Sequence, residues 1–144
     1  MAKTEYRILV AEDNEADVYL IEEALRQHAF VYRLEVAEDG EEMLKMIVAI
    51  EQDPSQSCPA LFLLDLNLPK HSGHEILARI RKSPRCASVP VIVVTSSDSP
   101  LDRARARELG ASYYFRKPAS LVGFISLGRI VGEFLEKQPD RLPG

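Results

Sequence analysis

Tryptophan is missing from this 144-residue sequence, and cysteine occurs only twice, at Cys58 and Cys86. The two cysteines are far apart and form no CxxC or paired-ligand spacing, which predicts two reduced thiols in a cytoplasmic protein and no disulfide. No apolar run approaches the roughly 20 residues that a bilayer span requires, and the opening "MAKTEYR" lacks an apolar h-region, so neither membrane insertion nor export is expected. An excess of basic charge is missing too. With 18 Lys and Arg against 22 Asp and Glu, the net charge is -4, so nothing in the total charge draws the chain to nucleic acid or anionic lipid. Direct DNA control lacks a basic module. What is present is 46% hydrophobic residues, enough for one core. A single domain over 1–144 is expected, its core about 6–137 and a short tail at 138–144.

Short apolar runs alternate with longer amphipathic segments. "YRILVA" (6–11), "VYRLEVA" (31–37), "ALFLL" (60–64), "VPVIVV" (89–94) and "SYYF" (112–115) are the strand candidates. Between them Leu20, Ile21 and Leu25, then Met43, Leu44 and Ile47, then Ile76, Leu77 and Ile80 recur at helical spacing. Asn14 with Asp17, and Ser99 with Pro100 and Asp102, form helix-start patterns. Strict alternation predicts an α/β fold with a parallel sheet and right-handed crossovers, whose ligands bind at the carboxyl ends of the strands. The longest break, "EQDPSQSCP" (51–59), is rich in turn formers and reads as an exposed loop at the opposite edge.

The strand ends carry the chemistry. "LFLLDLNLPK" drives four apolar residues into Asp65, and the first strand runs into "AEDNE", which brings Glu12 and Asp13 to the same edge. Crowded carboxylates raise one another's pKa unless a cation intervenes, and hard oxygen ligands suit Mg²⁺. The plain alternative, acids that merely cap the next helix, is met by Asn14. The fourth strand ends at Thr95 in "VVTSS" and the fifth at Lys117 in "FRKP". Taken together these suit a carboxylate nucleophile for a phosphoryl group, with metal and ammonium on its oxygens and a hydroxyl donating to it.

Through "VAEDN", "LLDLNLPKHSG", "VVTSS" and "YYFRKP" the chain resembles, along nearly its whole length, the receiver domains of two-component response regulators. Pro69 and Gly73 stand at the fourth and eighth positions after Asp65, as in that family. The resemblance implies a flavodoxin-like (βα)5 sandwich with strand order 2-1-3-4-5. It implies Asp65 as phosphoacceptor, Glu12, Asp13, Asp65 and the Asn67 backbone carbonyl as the Mg²⁺ site, and Thr95 and Lys117 on the phosphoryl oxygens. It also implies a cis bond before Pro118. Thr95 and Tyr114 would form the switch, the tyrosine turning inward once Thr95 is drawn to the phosphoryl group. Ser97 and Asn67 would set how fast that group is lost. More narrowly, "GHEILARIRKS", "VPVIVVTSS" and the ending "EFLEKQPDRLP" are similar to small response regulators that serve phytochrome-type histidine kinases. A regulator of this kind is no enzyme beyond its own phosphoryl transfer and dephosphorylation.

The last helix, "SLVGFISLGRIVGEFLEKQ" (120–138), carries one apolar face at Leu121, Phe124, Ile125, Val131 and Leu135 and a second stripe at Leu127, Ile130 and Phe134. Its apolar arc spans about 220°, more than packing on a sheet needs. Either a loop covers the surplus or a partner does. A two-fold homodimer through Tyr113, Phe115, Leu127, Ile130 and Phe134 is therefore expected, with Arg103, Arg105 and Arg107 at the rim.

Rival classes fit less well. An aspartate-nucleophile phosphatase needs an acid where Asn67 stands, and a flavin carrier needs a phosphate cradle where "EDNE" would repel it. A receiver-like adaptor that is never phosphorylated would lack a pocket residue, and none is missing. His71 and His74 in "HSGH" have no third zinc ligand nearby and read as helix-start polarity; His28 reads as a surface residue.

Overall fold

The computed structural model describes residues 5–137. The tail expected over 138–144 lies outside the described residues.

Five strands alternate with five helices: β1 (Glu5–Ala11), α1 (Glu15–Arg26), β2 (Val31–Ala37), α2 (Gly40–Gln52), β3 (Leu61–Leu64), α3 (Gly73–Arg81), β4 (Val91–Thr95), α4 (Pro100–Glu108), β5 (Tyr113–Arg116) and α5 (Leu121–Glu136). All strands are parallel, in the order β2-β1-β3-β4-β5, as expected. The central strands are apolar throughout because both faces are covered. Ile8, Val10, Leu61, Leu63, Ile92 and Val94 face α1 and α5, packing with Ile21, Leu25, Phe124 and Val131. Their alternates Leu9, Ala11, Phe62, Leu64, Val91 and Val93 face α2, α3 and α4, packing with Met43, Ile47, Ile76, Ile80 and Ala106. The helices begin where polar caps stop the extended chain. The side chains of Asn14, Asp39, Ser72, Ser99 and Ser120 each accept a backbone N–H three residues on.

Strand β4 starts at Val91, one residue after Pro90, because proline has no N–H for the ladder; the Pro90 carbonyl still accepts from Phe62 N.

Three expectations are corrected. Cys58 and Cys86 form a disulfide, with Cα atoms 5.7 Å apart across a sequence separation of 28. Distance in sequence says little here. Because β3 and β4 are neighbours, the segment entering β3 runs beside the one leading into β4, and Arg85 donates to the carbonyls of Ile50 and Asp53 at the end of α2 and of Gln56 in the loop that follows. Reduced thiols thus no longer support a cytoplasmic location, since disulfides are uncommon there. Among the described residues no helix is long and apolar enough to cross a membrane.

Second, no described peptide bond is cis, so Lys117 reaches the strand ends from a trans bond, the lower-energy form.

Third, Leu127 and Ile130 of the second stripe of α5 are covered from within the chain. A Cβ on Gly128 would lie 2.2 Å from the Ala24 carbonyl, so the glycine lets α1 approach closely. Leu127 is buried, Ile130 nearly so, and Phe115 packs edge-on against Phe124 with centroids 5.8 Å apart. Three of the five residues expected at an interface are therefore core. Tyr113 (43% exposed) and half-buried Phe134 remain at the surface, their rings 6.4 Å apart.

Candidate functional site

Glu12 and Asp65 are pinned by the ladders they leave. Glu12 N donates to the Ala37 carbonyl (3.0 Å) and Asp65 N to the Ala11 carbonyl (3.1 Å), so both carboxylates leave the sheet at one level. Gly73 then allows α3 to close over Asp65: a Cβ there would lie 2.2 Å from the Asp65 carbonyl oxygen, and Gly73 N donates to the Leu66 carbonyl at 3.0 Å.

Glu12, Asp13 and Asp65 each offer an oxygen within 4.8 Å of the others, two of the residues buried and Asp13 exposed. Lys117 N donates to the Thr95 carbonyl (2.7 Å), and its Nζ lies 2.7 Å from Glu12 Oε1, 2.7 Å from Asp17 Oδ2 and 2.9 Å from Asp65 Oδ2. Burial alone would lower this ammonium's pKa, yet pairing with Asp17, Glu12 and Asp65 outweighs it and holds the pKa above its ordinary range. Burial pushes the Glu12 carboxyl up to about 7, against the pull of Lys117, and the charge of Asp65 adds to the rise.

The set fits a hard divalent cation. Glu12 Oε1 is buried and faces the Lys117 ammonium at 2.7 Å, while Glu12 Oε2 accepts from Asn14 N at 3.2 Å. An oxygen so placed, beside those of Asp13 and Asp65, is a ligand in waiting. Asn67 N donates to Asp65 Oδ1 at 3.1 Å, which keeps its backbone beside the carboxylate.

Thr95 is buried at the end of β4, and its Oγ1 accepts from Ser97 N at 3.4 Å. Tyr114 is already turned toward this loop, its hydroxyl donating to the Ser97 carbonyl at 2.9 Å. The structure thus brings Glu12, Asp13, Asp65, Asn67, Thr95 and Lys117 to one end of the sheet, with Tyr114 beside them.

Two residues have roles that the sequence analysis did not reach. Asp17, read only as part of a helix start, is a partner of Lys117; the signal available was a further acid in "EDNEAD", one helical turn beyond the strand end. His74 is buried rather than polar surface, with Nε2 3.5 Å from Asp102 Oδ1, and Asp102 Oδ2 accepts from Ser97 Oγ at 2.6 Å. Neighbouring His71 pairs instead with Glu75 (3.0 Å), so the two histidines do not converge. His28 stacks on Phe30.

The response regulator receiver domain model matches residues 8–126. A probable methanogenesis regulatory protein, FilR2 of Methanothrix harundinacea, is 38% identical over 135 residues, covering 94% of this chain and 84% of that protein. Response regulator Rcp1 of Synechocystis is 34% identical over 114 residues, covering 79% of this chain and 78% of its own. The crystal structure of the Mn²⁺-bound form of Rcp1 aligns with a TM-score of 0.79 at 31% identity, covering 96% of this chain and 99% of that one. The phosphorylated cyanobacterial phytochrome response regulator RcpA gives 0.81 at 32% identity, covering 93% and 96%. With its sheet order, its strand-end acids and these relatives in agreement, the chain belongs to the response regulator receiver domain family and serves phosphorylation-based two-component signalling.

Proposed function

We propose that Asp65 accepts a phosphoryl group from a partner histidine kinase, with Mg²⁺ held by Glu12, Asp13, Asp65 and the Asn67 carbonyl. The observation that carries this is Lys117 Nζ at 2.9 Å from Asp65 Oδ2, on a carboxylate whose neighbours Glu12 and Asp13 supply metal-competent oxygens. An Asp65 oxygen attacks phosphorus in line; the P–N bond of the donor phosphohistidine breaks as the acyl-phosphate P–O bond forms. Lys117 and the Thr95 hydroxyl meet the phosphoryl oxygens, and the ordered Asn67 N–H orients the nucleophile. The bound cation would supply charge neutralisation on those oxygens. Likeness to RcpA and Rcp1 supports a phytochrome-type kinase as the donor.

The readout is a protein-interaction surface. Thr95, Ser97 and Tyr114 are linked by hydrogen bonds, so a phosphoryl group that draws Thr95 also disturbs the β4–α4 loop and the outer face of β5. Exposed Tyr113 and half-buried Phe134 beside the edge strand β5, with Leu121 and Val122 also exposed, support a two-fold homodimer through β5 and α5.

The test is intact mass after incubation with acetyl phosphate, with Mg²⁺ or with chelator, for the native chain and Asp65→Asn. One phosphoryl group that needs both Mg²⁺ and Asp65 supports the assignment. No phosphoryl group from acetyl phosphate or from a purified histidine kinase would leave a constitutive adaptor as the better account.

A further inference from the structure

We propose that Asp17 is a positioning residue for Lys117, giving its ammonium an anchor outside the metal site so that a divalent cation can take Glu12 and Asp65. The inference rests on the assignment of the pocket given above.

Three carboxylates surround one nitrogen: Asp17 Oδ2 at 2.7 Å, Glu12 Oε1 at 2.7 Å and Asp65 Oδ2 at 2.9 Å. Two of them belong to the metal-competent group of Glu12, Asp13 and Asp65, and Asp17 does not. A cation that enters the group takes oxygens the ammonium now holds. The Lys117 side chain is only 9% exposed, so water cannot readily replace those partners, and a buried ammonium without an acceptor is strongly disfavoured. Asp17 is the acceptor that remains.

It is also well fixed. It lies in the first turn of α1, its backbone N–H accepted by Asn14 Oδ1 at 3.1 Å, where the helix N-terminus favours a negative side chain. The anchor is therefore set by a helix, independent of the loops that carry Asp13 and Asn67. Without it, Lys117 would rest entirely on Glu12 and Asp65 and compete with the cation for both.

Calorimetric titration of the chelator-treated chain with Mg²⁺ tests this. Asp17→Asn is expected to weaken binding about tenfold, within the range for coupled neighbours. Losing any nearby negative charge could do the same, so the decisive comparison is made in a Lys117→Met background. There Asp17→Asn should change Mg²⁺ affinity less than about twofold, because Asp17 acts through the lysine. Asp17→Glu should recover most of the affinity, and Asp17→Ala should behave as Asp17→Asn. A purely structural role would shift the melting temperature and leave Mg²⁺ affinity alone.

Equal losses in both backgrounds, or no loss in either, would overturn the inference while leaving the pocket assignment intact. A native chain that binds no Mg²⁺ would remove both.

Discussion

The Tyr114 hydroxyl donates to the Ser97 carbonyl at 2.9 Å, and the Arg103 guanidinium lies 4.3 Å over the tyrosine ring. A side chain on β5 is thus tied to the loop that follows β4, and α4 clamps it from outside. Removing the hydroxyl in Tyr114→Phe keeps the ring and the cation–π contact but loses one hydrogen bond, at a cost of about 1 kcal/mol. Urea denaturation should show that loss, and hydrogen exchange should show faster opening of the 96–99 segment. Phosphorylation of Asp65 should persist, since Tyr114 touches no pocket oxygen. A segment that exchanges as slowly as in the native chain would remove Tyr114 from the switch.

Glu12 makes the pocket sensitive to pH. Its carboxyl titrates near 4.5 in the unfolded chain and is pushed up to about 7 by burial in the folded one. In the metal-free protein the corresponding stability is fully present below about 4.5 and is lost as pH rises through about 7. Mg²⁺ runs the other way, because its ligand must be ionised. Affinity should climb about tenfold per pH unit below pH 7 and level off above it, and the rise in melting temperature on adding Mg²⁺ should follow the same curve. In Glu12→Gln the slope should flatten. An unchanged slope would place the titration on another group.

The fold was legible because each strand announced itself twice, by an apolar run and by the polar residue that ended it. Asn14 and Ser99 marked helix starts that the structure repeats, and Asp65, Thr95 and Lys117 could be placed at one edge from the alternation alone. What could not be read were relations across space. Cys58 and Cys86 meet only because β3 lies beside β4, and Leu127 is core only because Gly128 lets α1 come close. Helical periodicity measures how wide an apolar arc is, not what covers it. Asp17 was hidden for a similar reason: a carboxylate in a first helical turn has a local role that accounts for it, and its longer-range partner stands 100 residues away.

The disulfide should stabilise the fold without touching the pocket. Closing a loop across a separation of 28 residues is worth about 3–4 kcal/mol in the chain-entropy account, or roughly 10 °C in melting temperature for a domain of this size. Cys58→Ser with Cys86→Ser should show that drop in thermal unfolding. Arg85 still ties the loop to α2 through the Ile50 and Asp53 carbonyls, so Mg²⁺ affinity and phosphorylation should stay at native levels. Equal melting of the double variant and the native chain would mean that the bridge adds nothing to folding.

The corrected face of α5 separates core from interface by substitution. Leu127 is fully buried among α1 and sheet side chains, so Leu127→Glu places a charge in the core and should unfold the chain or cost several kcal/mol. Tyr113 and Phe134 touch each other at the surface and lie outside the group of fully buried residues. Tyr113→Glu with Phe134→Glu should therefore keep the native circular dichroism spectrum while introducing two like charges where two copies would meet. Light scattering of the eluted peak, across protein concentrations, should then report a monomer where the native chain reports a dimer. A double variant that still dimerises would move the contact away from β5 and α5. A folded Leu127→Glu would mean that the second apolar stripe is less enclosed than the approach of α1 through Gly128 requires.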